Sequence, residues 1–213
     1  MITVPARPMR AIVTCMDYRI KVEKICEHLG WPTENGAYII RNAGGVVTQD
    51  VIRSLFMHQK FILSEKYDIH IAVAAHTGCG MINTGEDEMR RQIENDFWIC
   101  EPPPFALETF PSPELGVRRA VQRLRTSRFV QSRTAAGLNI TGLVYDVETT
   151  PHTVRNVTTY AFQQGESWAQ AAAKHQNYTP TPTVESLRAA NPQTAGAPYE
   201  GLGQVIYIPG QPK

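Results

Sequence analysis

Two apolar runs, each followed by a metal-ligating residue type, constrain this chain more than any other feature. The first run covers Ala11–Val13 and leads to Cys15, and the second covers Ile69–Ala75 and leads to His76. Short, mainly apolar runs are typical of strands that are buried on both faces. Ligands bind at the carboxyl ends of the strands in an open parallel sheet. We therefore expect the two strand ends to meet in one site.

Predicted strands and helices alternate along the first two thirds of the chain. The predicted strands are Arg10–Thr14, Ala37–Ile40, Ile69–Ala75 and Asn139–Val147. The predicted helices are Ile20–Leu29, Thr48 to about Glu65, Glu86–Trp98 and Pro113 to about Ser127. The apolar face of the second helix is predicted to contain Val51, Ile52, Leu55, Phe56 and Ile62. This order predicts an α/β fold, with a mainly parallel sheet flanked by helices.

Charge and composition argue against two classes of partner. The formal net charge is +1, which does not favour a nucleic-acid binder. No segment has the apolar length of a membrane span. One group of arginines falls on the last predicted helix of the sheet region, and we interpret it as a solvated face. Its members are Arg118, Arg119, Arg123, Arg125 and Arg128.

The N-terminal sequence and the cysteines favour a reducing compartment. Met1–Arg10 lacks the apolar core of a signal peptide, so we expect cytoplasmic synthesis. The four cysteines are then expected to be free thiols or metal ligands rather than disulfides. Cys26 and Cys100 are interpreted as core or surface residues.

Cys15, His76 and Cys79 are the predicted metal ligands. Thiolate and imidazole donors suit Zn²⁺, and three protein ligands leave a fourth position open for chemistry. In such a site, a bound water has a pKa near neutrality. The alternative is that both cysteines are small buried residues and that the histidine is a hydrogen-bonded loop residue.

Asp17 and Arg19 follow the first predicted ligand closely. A bidentate guanidinium would keep the carboxylate ionised and away from the metal, so that it could accept a hydrogen bond from the nucleophile. The alternative is a surface ion pair of little energetic value.

These motifs together resemble the β-class carbonic anhydrases. The resemblance rests on Cys15-Met16-Asp17-x-Arg19, Arg41-Asn42-Ala43-Gly44, His76-x-x-Cys79-Gly80-Met81, Phe129-Val130 and Gly142–Val147, and it covers about residues 8–157. It implies a zinc lyase that interconverts carbon dioxide and bicarbonate and that assembles as a dimer. It also implies that Cys15, His76 and Cys79 bind zinc, and that Asp17 and Arg19 form the catalytic dyad.

The chain departs from that family pattern in two places. Tyr18 stands between the dyad residues, where the family usually has a small residue. Only about nine residues precede the first strand, whereas family members usually have an N-terminal helical arm that wraps the partner subunit. The same scaffold also serves hydrolases of carbonyl sulfide and carbon disulfide, and the ligands alone do not separate these substrates.

A second unit is expected over residues 158–213, after a zinc domain over residues 1–157. Its predicted elements are a strand at Thr158–Phe162, helices at Glu166–His175 and Val184–Ala190, and a strand at Gln204–Ile208. This unit resembles a LysM domain through Gly165-Glu166-Ser167-Trp168, Asn191-Pro192 and Gly203–Pro209. The resemblance implies binding to peptidoglycan or chitin. An unrelated small appendage is the alternative.

Two functions follow from these observations. The first is an active, homo-oligomeric zinc enzyme that acts on carbon dioxide or carbonyl sulfide and is tethered through LysM. The second is a docking component of a large assembly, such as a phage or contractile-injection tail baseplate, that keeps zinc for stability. The second hypothesis places the protein in a virion or tail-like particle, and it is favoured by Trp168 directly after Gly-Glu-Ser.

Overall fold

The computed structural model describes most of the sheet region and parts of the C-terminal region. The described residues are 9–34, 36–61, 68–97, 107–127, 138–161, 167–176, 178–179, 181–191, 205–208 and 211–212. Cys100, Arg128, Phe129 and Val130 lie outside these ranges, as do the first eight residues of the expected short arm.

Eight strands and six α-helices are assigned within the described residues. The strands are β1 (Met9–Cys15), β2 (Tyr38–Asn42), β3 (Ile69–His76), β4 (Leu138–Asp146), β5 (Thr153–Ala161), β6 (Tyr178–Thr179), β7 (Val205–Ile208) and β8 (Gln211–Pro212). The helices are α1 (Val22–Leu29), α2 (Gln49–Phe61), α3 (Glu86–Phe97), α4 (Pro113–Thr126), α5 (Trp168–Lys174) and α6 (Val184–Ala190). A short 3₁₀ helix covers Ala43–Gly45.

Six of these strands form one sheet in the order β2-β1-β3-β4-β5-β7. The first three pairings, β1 with β2, β1 with β3 and β3 with β4, are parallel, whereas β5 pairs antiparallel with both β4 and β7. The α/β fold with a mainly parallel sheet was therefore predicted correctly. The first part of β5, Thr153–Val157, was not predicted to be a strand, because this segment has no long apolar run.

The sheet is buried on both faces, as the apolar runs predicted. Along β1, Ala11 and Val13 pack with α2 and α4 residues, including Leu55 and Leu124. Ile12, between them, packs on the opposite face with residues of the α1 region. Such a strand cannot slip by one residue without exchanging its two faces.

The helix boundaries agree with the predictions to within a few residues. Gly30 ends α1 in the left-handed conformation, with φ of 66°. The Ser112 side chain accepts a hydrogen bond from the Leu115 backbone N–H, and Pro113 occupies the first helical turn of α4. None of the helices in the described ranges combines the length and apolar character that a bilayer span requires.

Two side-chain predictions were wrong. Phe56, expected on the apolar face of α2, is 44% exposed, whereas Val51 and Leu55 are buried. Arg118, expected on a solvated face of α4, is only 6% exposed. Arg118 lies among the buried residues of α4 and lines a cavity beside that helix.

The C-terminal region adds to the sheet through β5. This strand runs across residue 157, where the second unit was expected to begin, and its last residues pair with β7. The buried Asn191 side chain donates to the Leu187 and Tyr207 carbonyls and accepts from the Tyr207 N–H. One amide therefore joins the end of α6 to β7.

Gly45 lies so close to the backbone of Cys15 that no side chain fits at its position. Its φ is 66°, and an added Cβ would lie 2.9 Å from the Cys15 backbone nitrogen. We expect Gly45→Ala to lower the free energy of unfolding by about 1–3 kcal/mol, since it adds both backbone strain and a steric clash. Urea denaturation would measure this loss. Gly85→Ala, where an added Cβ meets nothing within 4 Å, should stay within about 0.5 kcal/mol of the parent. Equal losses in the two variants would contradict the prediction.

Candidate metal centre

The parallel pairing of β1 with β3 brings the three predicted ligands together. Thr14 is aligned with Ala74, and its hydroxyl donates to the Ala74 carbonyl over 3.0 Å. Cys15 and His76 therefore end neighbouring strands at the same edge of the sheet. The candidate ligand atoms of Cys15, His76 and Cys79 all lie within 4.8 Å of one another. All three residues are buried.

His76 presents a ring nitrogen that fits a metal ligand. Its Nδ1 lies 2.8 Å from the Thr77 carbonyl oxygen. Because a carbonyl oxygen can only accept, Nδ1 carries the proton and Nε2 keeps its lone pair. In the described part of the chain, this buried Nε2 has no hydrogen-bond partner. A buried polar atom without a partner is costly unless something binds it, and a metal ion would do so.

The side chains of Cys15 and Cys79 form a pair that readily holds one negative charge. Hydrogen bonding by Cys79 is the main cause that lowers the pKa of Cys15 to about 4, and the Gly44 N–H also contributes. The Gly44 N–H donates to the Cys15 sulfur over 3.3 Å. The adjacent Cys15 sulfur, followed by burial, raises the pKa of Cys79. A cation is what would let both sulfurs ionise, so this donor set fits a thiophilic metal such as Zn²⁺.

Asp17 is gripped by Arg19 at the edge of this cluster. Arg19 Nη2 lies 2.6 Å from Asp17 Oδ2, and Nε lies 3.0 Å from Oδ1. These hydrogen bonds hold the pKa of Asp17 well below its usual range. Asp17 Oδ2 is also 4.0 Å from His76 Nε2, so the carboxylate borders the space that the three donors face. Arg19 additionally donates to the Gly78 carbonyl and thereby ties the dyad to the loop before Cys79.

Arg41 holds the loop that carries the dyad, a role that the sequence interpretation missed. Its Nη1 donates to the Cys15 and Asp17 carbonyls over 3.4 and 3.3 Å, and its Nη2 donates to the Ile20 carbonyl over 3.2 Å. The only sequence signal was its place at the end of a predicted strand beside the Asn42-Ala43-Gly44 motif.

Asp146 holds the loop after β3, and sequence reasoning gave it no role either. The Thr77 hydroxyl donates to Asp146 Oδ1 over 3.0 Å and accepts from the Val147 N–H. The Glu148 N–H is the main cause that lowers the pKa of Asp146. The ends of β3 and β4 are thus joined next to His76.

Two residues beside the candidate ligand Cys15 are exposed to solvent, whereas the third described cysteine is buried. Met16 and Tyr18 are 67% and 84% exposed, so the Tyr18 side chain points largely to solvent. Cys26 is buried but does not belong to the group of candidate ligands, and burial raises the pKa of its thiol. Cys15, Cys26 and Cys79 are free thiols in this structure.

Comparisons with known proteins identify the family. β-Carbonic anhydrase 1 of Mycobacterium tuberculosis is 37% identical over 139 residues, which span 65% of this chain and 77% of that protein. This chain belongs to the β-carbonic anhydrase family. A carbon disulfide hydrolase from Acidianus sp. is 31% identical over 160 residues, spanning 65% of this chain and 72% of that protein.

A solved structure supports the same fold. The carbonic anhydrase of Streptococcus mutans superposes with a TM-score of 0.58 and 32% identity, covering 74% of this chain and 87% of that one. No family profile matches the chain. The resemblance stated from the motifs is therefore confirmed for the β-carbonic anhydrase family, including its carbon disulfide hydrolase-like members.

The three Arg41 contacts predict local loosening in Arg41→Met. Hydrogen bonds to a charged group contribute about 1.5–3 kcal/mol each, so their loss should speed amide exchange over residues 16–20 by about tenfold or more. Hydrogen-exchange mass spectrometry would measure this change. Arg53→Met removes an exposed arginine of α2 that pairs with Asp50 and should leave this loop unchanged. Equal protection of residues 16–20 in both variants would contradict the role of Arg41.

Proposed function

We propose that this chain is a zinc-dependent lyase that interconverts carbon dioxide and bicarbonate. The proposal is carried by the convergence of Cys15, His76 and Cys79 with a dyad whose carboxylate lies 4.0 Å from His76 Nε2. Membership in the β-carbonic anhydrase family supports the same activity. When bound by these three side chains, Zn²⁺ would supply a Lewis acid that makes a nearby water acidic.

The chain's own residues would position the reacting water. The ionised Asp17 carboxylate accepts a hydrogen bond from that water and orients its lone pair toward the carbon of carbon dioxide. A bond forms between the water oxygen and that carbon, and one proton leaves to solvent, which gives bicarbonate. Arg19 keeps the carboxylate ionised and prevents it from turning toward the three donors. The apolar cluster around the sulfurs, which includes Phe110 and Val147, suits an apolar gas.

Hydrolysis of carbonyl sulfide or carbon disulfide is the alternative for the same site. The similarity to the Acidianus carbon disulfide hydrolase supports it. Each substrate is a linear molecule with an electrophilic carbon, so the same oriented water would attack it. Product analysis with all three gases would separate these activities.

We further propose that the chain acts as a homo-oligomer. β2 is an edge strand of the sheet, and its Tyr38 and Ile39 are 47% and 41% exposed. Phe56 and Met57 of α2 are also more than two-fifths exposed. Exposed apolar residues on a strand at the side of the described sheet favour association with another chain.

Asp17→Asn tests the mechanism. The amide keeps the volume of the side chain but loses its charge, so carbon dioxide hydration should fall by about 100-fold or more while bound zinc stays the same. Stopped-flow indicator assays and elemental analysis would measure the two quantities. Asp50→Asn, on the exposed face of α2, should leave both unchanged. Unchanged turnover in Asp17→Asn would remove this carboxylate from the mechanism.

Cys79→Ser serves as the metal control for that experiment. Replacing the sulfur should abolish both zinc binding and turnover, because a serine hydroxyl is a poor zinc ligand at neutral pH. Full zinc content in this variant would refute the ligand assignment. Zinc bound by the parent without turnover on any of the three gases would instead favour a structural use of the site.

The C-terminal region is proposed to be a LysM module that attaches the enzyme to a glycan such as peptidoglycan or chitin. The proposal is supported by the buried Asn191, which joins the end of α6 to β7, and by the capping boxes that start α5 at Ser167 and α6 at Thr183. Docking into a protein assembly such as a tail baseplate is the alternative, supported by the position of Trp168 after Gly-Glu-Ser.

Glycan pull-down separates these two attachments. The parent should bind insoluble peptidoglycan or chitin and be released by N-acetylglucosamine oligomers. Asn191→Ala should weaken retention, because it frees α6 from β7, whereas the exposed Glu185→Gln should not. No retention of the parent on either polymer would leave the protein-assembly attachment as the favoured one.

A further inference from the structure

A cavity of about 470 Å³ lies beside α4, away from the three candidate metal ligands. Its walls come from α4, from Val46 and Val47 after the 3₁₀ helix, and from the Glu108–Phe110 segment. Neither cysteine of the metal cluster nor His76 lines it. Phe110 stands between the two regions, since it lines the cavity and also packs in the apolar cluster that contains Cys15 and Cys79.

Among the described residues, three arginines line this cavity: Arg118, Arg119 and Arg123. Arg118 is 6% exposed, and burial together with the neighbouring Arg119 lowers its pKa. Arg119 Nη1 donates to the Thr109 carbonyl over 2.7 Å. A carbonyl orients a guanidinium but does not neutralise its charge, and each guanidinium has five N–H donors.

Glu86 and Glu108, the acidic residues that line the cavity in the described part of the chain, are each paired with an arginine. Glu108 pairs with Arg123, which also donates to the Val47 carbonyl over 2.9 Å. Glu86 pairs with Arg90 over 2.8 Å and accepts from the Leu107 N–H. The hydrogen bond from Arg90 is the main cause that lowers the pKa of Glu86. Both carboxylates are therefore paired with guanidinium groups other than that of Arg119.

We propose that this cavity binds a small molecule bearing a phosphate or carboxylate group. Guanidinium groups match the planar edge of either oxyanion through paired N–H donors, and they do so most strongly where water is partly excluded. Arg118 supplies a buried charge, and the exposed Arg119 supplies a guanidinium that its hydrogen bond to the Thr109 carbonyl orients. The volume suits a ligand of metabolite size rather than a single gas molecule.

Calorimetric titration of the full chain tests this site with inorganic phosphate and with acetate as probes. At constant ionic strength, one of the two anions should bind saturably, and the stronger one identifies the ligand class. Arg119→Gln should weaken that binding by about tenfold or more, which corresponds to about 1.4 kcal/mol. Arg125→Gln removes the same charge from an exposed position of α4 outside the cavity and should bind like the parent.

A second variant keeps the test decisive if Arg119→Gln fails to fold. Gln122→Glu keeps the shape of a cavity-lining side chain and adds a negative charge, so this variant should also bind the anion more weakly than the parent does. Binding that both folded variants retain at full strength would place the anion elsewhere, the metal cluster included, and would overturn the proposal. The absence of saturable binding by the parent to either probe would overturn it as well.

Discussion

The parallel pairing of β1 with β3 is the constraint on which the metal cluster depends. Cys15 and His76 are about sixty residues apart in the chain, and only this register places their side chains at one edge of the sheet. The register is held by burial on both faces of each strand. A slip of one residue would exchange Ile12 with Ala11 and Val13, which pack in different apolar clusters.

The negatively charged groups at this end of the sheet each face a hydrogen-bond donor. Two cysteine sulfurs and a carboxylate lie close together, and negative charge on all of them is unfavourable unless cations or N–H donors face them. Arg19 faces the carboxylate, and the Gly44 N–H faces the Cys15 sulfur. Gly44 and Gly45 allow the backbone to approach Cys15 as closely as this hydrogen bond requires. The same turn leads into Val46 and Val47, so the metal cluster and the arginine-lined cavity share one supporting segment.

Predictions from the sequence succeeded where one local pattern decides the structure. Ser112 and Pro113 start α4, and Gly30 ends α1, as their residue types predict. The ligand types at two strand ends were also apparent, because the apolar runs stop abruptly there. Predictions failed where a neighbouring element decides. Thr153–Val157 forms a strand because β4 offers an antiparallel edge, and Phe56 is exposed because the adjacent Leu55 takes the core position. Arg118 is buried by the packing of α4, which no periodicity of charged residues reveals.

The amino-acid sequence by itself determined the chemical types at the site, the α/β class and most element boundaries, because these depend on residues close together in the chain. The tertiary structure decided what distant residues do to one another. It placed Cys15, His76 and Cys79 within 4.8 Å, and it aimed the Arg41 guanidinium at three carbonyls. It also gathered Arg118 and Arg119 around a cavity. These arrangements follow from strand register and helix packing, which set distances that no single segment encodes.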